Sequence, residues 1–239
     1  MTKIEWTERT WNPLAGCSVV SPGCKNCYAM KMAARLERMA RGIVTRPGHD
    51  EPMQHYRGLT QLSKAGPVWT GKVALAPNHI LQAPLKRAAP TMYFVNSMSD
   101  LFHEDVPDEW ILRVLDVIRI ASYDGGSNIG RIGRGEGEHK FQVLTKRSAR
   151  MQKVMSRLRW DGERLHLLAH DDGRARVLLK NLWLGVSCED QKRADERVPD
   201  LLATPAAVRF VSAEPLLGPI DFTMIARDGV TGLHTLERG

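Results

Sequence analysis

No apolar run in the chain approaches the roughly 18–20 residues that cross a bilayer. The opening residues, MTKIEWTERT, lack the apolar core of an export signal. No membrane partner is therefore expected, and the expected location is cytoplasmic. Internal repeats are absent, as are heptads, which sets aside solenoids and coiled coils. Apolar residues are not in short supply. Of the 239 residues, 43% are hydrophobic, enough to bury a core without external staples and to build one large domain.

Acidic residues are outnumbered. Asp and Glu total 27 against 34 Lys and Arg, which leaves a formal net charge of +7. A surface of that sign suits an anionic partner such as nucleic acid. The cations are spread along the chain, with a mild concentration over residues 146–159 (KRSARMQKVMSRLR). On a helix that stretch is either a phosphate-facing stripe or a solvated face.

Cysteine is scarce, with 4 in the whole chain. Cys17, Cys24 and Cys27 cluster, and Cys188 stands far from them. In a reducing compartment such a cluster points to metal before it points to a disulfide.

Short apolar strands, polar turns and amphipathic helices alternate along the chain. The predicted strands are the segment before Pro13, then residues 72–76 (KVALA), 91–96 (TMYFVN), 140–144 (KFQVL), 181–186 (NLWLGV) and 207–212 (AVRFVS). The predicted helices cover about 26–41, 77–88, 108–121, 148–158 and 190–202, the third opened by Pro107 with Asp108 and Glu109 behind it. Residues 42–71, 123–138 and 161–176 read as irregular excursions, the second rich in glycine. Alternation implies a parallel sheet, and consecutive apolar residues imply burial on both faces. Six such units fit an α/β fold of the partial (β/α)6 barrel kind, with a doubly wound sheet as the alternative.

Ligands of such folds sit at the carboxyl ends of the strands. The residues there are polar, and Asn96, Ser97, Asp100, Lys146, Ser187, Glu189 and Glu214 are the candidate cofactor-binding residues. Turn and helix-cap preferences would account for any one of them alone. Lys146 suits a carboxylate or phosphate, and Glu189 and Glu214 suit an amine or ribose hydroxyl. Tyr28 is placed to stack on a ring or to pack on its own helix. Cys188 is either a substrate-side thiol or a buried strand-end cysteine.

The cysteine loop reads Cys-x6-Cys-x2-Cys. Thiolates suit iron–sulfur clusters and zinc. Three can grip a 4Fe–4S cluster and leave one iron open, whereas electron-transfer clusters use four. A structural zinc would need a fourth ligand, from His49, His55 or Cys188. A loop without metal is the third reading.

Five separated blocks, WNPLAGCSVVSPGCKNCYA, NSMSDLFHEDVP, FQVLTKR, LWLGVSCEDQ and RFVSAEPLLGPI, together resemble the phage-associated family of three-cysteine-motif, radical-SAM-like proteins. The resemblance covers about residues 4–222. It implies a partial β/α barrel of the radical SAM type over residues 1–222, with Cys17, Cys24 and Cys27 as ligands of a 4Fe–4S cluster. It further implies S-adenosyl-L-methionine on the open iron, an electron donor, and an unknown substrate. The spacing departs from the Cys-x3-Cys-x2-Cys usual in that superfamily, and no Gly-Gly-Glu segment follows residues 72–76. Residues 124–138 look inserted, and residues 223–239 are expected to be a tail left by truncation. Rival expectations are a non-enzymatic, metal-stabilised module that binds nucleic acid, and a truncated inactive member.

Overall fold

The computed structural model describes residues 7–41, 53–122, 138–168, 176–227 and 230–231. Its centre is a five-stranded parallel sheet. The strands are β1 (Arg9–Trp11), β2 (Met92–Val95), β3 (Lys140–Thr145), β4 (Leu182–Ser187) and β5 (Val208–Ser212). Each pairs with the strand before it in the chain, so spatial order equals sequence order and β1 and β5 are the edges. The two edges do not pair, and the sheet does not close into a barrel.

Sequential order with right-handed crossovers places the connecting helices on one face. The row Trp11–Val95–Val143–Leu184 runs across that face in register. It is buried in one core with Ile111 and Leu115, Met151 and Val198. These residues come from α3 (Asp108–Ile120), α4 (Ser148–Ser156) and α5 (Gln191–Ala203). Pro107 opens α3 with Asp108 and Glu109 in its first turn, where carboxylates meet the positive end of the helix dipole. The Asp190 carboxylate caps α5 by accepting from the Arg193 N–H at 2.9 Å. At the far end of α5, the Arg209 guanidinium donates to the carbonyls of Leu201 and Thr204.

The other face carries the row Thr10–Phe94–Gln142–Trp183–Val208. It is less covered, and the ring of Phe210 lies over Gly185 on it.

The expected second strand is not in this sheet. Ala74–Leu75 pairs antiparallel with Leu14–Ala15 as a two-residue patch, half-buried where a central strand would be covered on both faces. The short helix expected over 77–88 is α2 (Asn78–Leu81) followed by a 3-10 turn, Ala83–Lys86. Two excursions contain antiparallel hairpins, Thr60–Ser63 with Gly66–Trp69 and Leu158–Trp160 with Leu165–Leu167. The second hairpin ends α4 two residues before the expected helix does. The glycine-rich stretch 123–137, His49, and most of the tail expected over 223–239 lie outside the described residues.

A second apolar cluster joins α1 (Tyr28–Arg41) to the Thr60–Trp69 hairpin through Met30 and Ala33, Leu59 and Trp69. It seats the cysteine loop, which leads directly into α1. No described helix is long and apolar enough to cross a membrane.

Candidate functional site at the carboxyl edge of the sheet

Two asparagines lock the strand ends below the site. The Asn12 carboxamide oxygen accepts from the Ser97 hydroxyl at 3.0 Å and the Met98 N–H at 3.2 Å. In return the Asn96 oxygen accepts from the Leu14 N–H at 3.2 Å. Asn96 has φ 61, a left-handed conformation that asparagine tolerates better than most residues. The turn after β1 and the turn after β2 are thus held to each other. Gly16 follows, with φ +92 and no room for a Cβ, which would stand 2.1 Å from the Lys72 carbonyl oxygen.

From Gly16 the cysteine loop crosses the carboxyl ends of the other strands. Above β3, the Cys17 thiol accepts a long contact of 3.6 Å from Arg147 Nη1. The Ser18 hydroxyl accepts from Arg147 Nη2 at 2.6 Å. It lies 3.0 Å from His103 Nε2, whose other ring nitrogen accepts from the Asp105 N–H, so Nε2 carries the proton. Above β4 and β5, Gly23 packs so closely that a Cβ would stand 3.1 Å from the Glu189 carboxyl carbon and 3.3 Å from Pro215. At the start of α1 the Tyr28 hydroxyl donates to the Ser97 carbonyl at 3.0 Å. The loop therefore roofs the strand ends.

Beneath this roof is a cavity of about 520 Å³, within the roughly 300–1,000 Å³ usual for ligand pockets. Cys17, Cys24 and Cys27 all line it. Its lining includes the polar Asn96, Ser97, Lys146, Ser187 and Glu214, the last of them exposed, and the apolar Trp69, Phe94, Leu144 and Leu217.

Arg147 is the electrostatic centre of the site. It is buried, and it donates through Nη1 to Asp100 at 3.0 Å and through Nε to Glu104 at 2.8 Å. Burial opposes its charge, but Asp100, then Cys17 and Glu104, outweigh burial and hold its pKa above the ordinary value. Asp100 lines the cavity but is fully engaged. It also accepts from the Thr145 hydroxyl at 2.7 Å, the Phe102 N–H at 3.0 Å and the Lys146 N–H at 3.1 Å. Burial, reinforced by Asp100, pushes the Cys17 thiol up to about 12.

Glu189 does not line the cavity. It is fully buried behind it, accepting from Arg197 at 2.8 Å and Lys146 Nζ at 3.4 Å. Burial alone would raise its pKa, but Ser21, Lys146 and Arg197 together bring it below the ordinary range. Its place is behind Lys146, which it aims into the cavity. Cys188 is buried with its thiol turned to the Arg193 carbonyl, away from the other three, and burial pushes it up to about 11. His55 sits against Tyr56, ring centroids 4.4 Å apart, and is not grouped with the cysteines. Among the described residues no three Cys, His, Asp or Glu side chains converge on a point that could hold one metal ion.

Arg147 stood next to the sequence candidate Lys146 and carried no signal of its own, because its partner Asp100 is remote in sequence. Trp69 comes from a hairpin inside an excursion without periodicity.

An open parallel α/β sheet with a thiol-bearing loop folded over its carboxyl edge defines the class of this protein. A family model described as "Protein of unknown function (DUF5131)" matches residues 1–232, and the chain belongs to that family. No curated protein and no solved structure matches it.

Proposed function

We propose that the chain carries a 4Fe–4S cluster on Cys17, Cys24 and Cys27 and acts as a radical SAM enzyme on an unidentified substrate. The observation that carries this reading is that three thiols of one loop line one cavity while the remaining cysteine faces elsewhere. Resemblance to the phage-associated three-cysteine, radical-SAM-like proteins supports it.

The donor set fits the group. A cubane spreads its thiolates over separate irons, so its ligands need not converge on one point as zinc ligands must. That agrees with three thiols around a cavity and no single-ion cluster among the described residues. When bound, such a cluster supplies the electron that splits S-adenosyl-L-methionine into methionine and a 5′-deoxyadenosyl radical, with an external electron donor restoring it.

The chain's own residues do the positioning. Burial keeps the Cys17 proton in place until a ligand displaces it, so loading releases protons. Arg147 Nη1, already turned to the Cys17 sulfur, then donates to a thiolate and orients it. Lys146, held from behind by Glu189, meets a carboxylate, and Glu214 at the mouth meets an amine or ribose hydroxyl. The apolar surfaces of Phe94 and Leu144 exclude water.

Anaerobic reconstitution should give an iron-containing, brown protein that forms 5′-deoxyadenosine on reduction with S-adenosyl-L-methionine. Cys24→Ala should abolish that product. Reconstituted protein without iron, or undiminished turnover in Cys24→Ala, would overturn the proposal.

A further inference from the structure

Positive charge is distributed unevenly over the helices. Within residues 146–159, which the composition marks as the most basic stretch, nearly every cation is engaged. Lys146 meets Glu189 and Arg147 meets Asp100 and Glu104, while Arg150 and Arg157 both meet Asp108. Arg159 is buried and donates to backbone carbonyls, and only Lys153 stands exposed. That stretch is neither a phosphate stripe nor a solvated face.

α1 is built the opposite way. Lys31, Arg35 and Arg38 are exposed and engage no other described residue. At 3.6 residues per turn they fall within an arc of about 60°. The acid of α1, Glu37, is turned inward, where it accepts from Arg41 at 2.7 Å and the Gly58 N–H at 3.2 Å. The hairpin cluster covers Met30 and Ala33 of this helix, while Met32 and Met39 stay exposed beside the cations, so the vesicle arm of the test below decides between a membrane surface and a nucleic acid. Tyr28 stands at the head of the same exposed face, 55% exposed, its ring at the edge of the cavity. From Tyr28 to Arg38 is about 15 Å, the reach of a few nucleotides.

From this arrangement we infer that the outer face of α1 binds a single-stranded nucleic acid, with phosphates on Lys31, Arg35 and Arg38 and a nucleotide delivered past Tyr28 into the cavity. Three cations along a helix with no partner among the described residues match a phosphate track, and an exposed tyrosine at its end is a stacking platform. The apolar surfaces of Trp69 and Phe94 give a base somewhere to rest. That this polymer is the substrate rests on the cluster reading; that it binds does not, because α1 displays its cations whether or not the loop holds metal.

The test is fluorescence anisotropy of a labelled mixed-sequence oligonucleotide of about 20 nucleotides, titrated with metal-free and with anaerobically reconstituted full-length protein. Salt is varied, and iron is counted on the same samples. Wild type should bind in both states. The triple variant K31Q/R35Q/R38Q, with unchanged circular dichroism, should bind about tenfold or more weakly at low salt, its log–log salt slope shallower by about 2. Lys153→Gln should match wild type. The inference is overturned if wild type does not bind, if the triple variant keeps its affinity and slope, if Lys153→Gln loses as much, or if the protein prefers anionic vesicles to the oligonucleotide. Reconstituted protein that takes up no iron yet still binds would sink the cluster reading alone, and iron-loaded protein that does not bind would sink this inference alone.

Discussion

Arg147 is the side chain on which the site most depends, because it neutralises a buried carboxylate and touches two residues of the cysteine loop. Arg147→Met should leave Asp100 charged and enclosed, which costs about 3–5 kcal/mol when one partner of a buried pair is removed. A urea melt of the metal-free protein reads this as a large fall in midpoint. The double variant with Asp100→Asn should recover part of the loss, since the carboxylate is then gone as well. His55 gives a second, pH-dependent prediction. Burial, with a smaller contribution from His79, lowers its pKa to about 4. A histidine whose folded pKa lies below its unfolded value stabilises the fold above about pH 6.5, and that stability is lost as pH falls toward 4. Allowing for partial solvent screening, wild type should lose about 1 kcal/mol through this window that His55→Phe does not lose. Parallel urea midpoints at pH 7 and pH 4.5 measure the difference, and equal slopes for the two proteins would remove His55 as the cause. Both predictions concern contacts hidden from the sequence. The candidates Asn96, Ser97 and Lys146 could be read because strand ends are where parallel folds put polar groups, whereas the Arg147–Asp100 pair exists only once β2 and β3 lie side by side.

At the level of elements, the half-buried edge strand over 207–212 could be read as well as strands whose consecutive apolar residues are covered on both faces. Residues 140–144 and 181–186 meet that description and form the middle of the sheet. Residues 72–76 have the same composition but only partial burial, and composition does not distinguish a sheet strand from an extended segment serving a two-residue pairing. The cysteine loop is held to the sheet by side chains such as Arg147 and also by close backbone approach, which glycine marks. Gly16→Ala would place a Cβ against the Lys72 carbonyl oxygen, with φ +92 adding strain that no rotamer relieves. A loss of about 3 kcal/mol or more is expected. Gly58 provides the control. It also has positive φ, at +69, but nothing lies within 4 Å of its would-be Cβ. Gly58→Ala should therefore cost only the left-handed backbone penalty, about 1 kcal/mol. Thermal melts of the two variants separate close approach from backbone strain, and equal losses would refute the role given to Gly16.

On the scale of the whole molecule, two cores meet at the cysteine loop. One is the sheet with α3, α4 and α5; the other is α1 with its hairpin. The α/β alternation made the first core predictable, down to four of its five main strands following one another with helices between. The second core joins α1, whose helical spacing was legible, to a hairpin inside a segment without periodicity, so the roof of the cavity was readable only as a cysteine motif leading into a helix. A ligand held by that loop would tie the two cores together, and binding to the folded state alone raises stability by mass action, about 2.7 kcal/mol at a hundredfold excess over Kd. For a chain of this size that corresponds to a rise of about 5–10 °C in Tm. Reconstituted wild type should therefore melt higher than the metal-free protein by that order. Cys24→Ala and Cys27→Ala should lose the rise while keeping the metal-free Tm, because both side chains are only half-buried. Cys188→Ala should keep the rise although it lowers the baseline, since its thiol is packed in the first core beside α5 and faces the Arg193 carbonyl. A rise that disappears in Cys188→Ala and survives in Cys24→Ala would move the ligand out of the loop and away from the carboxyl edge of the sheet.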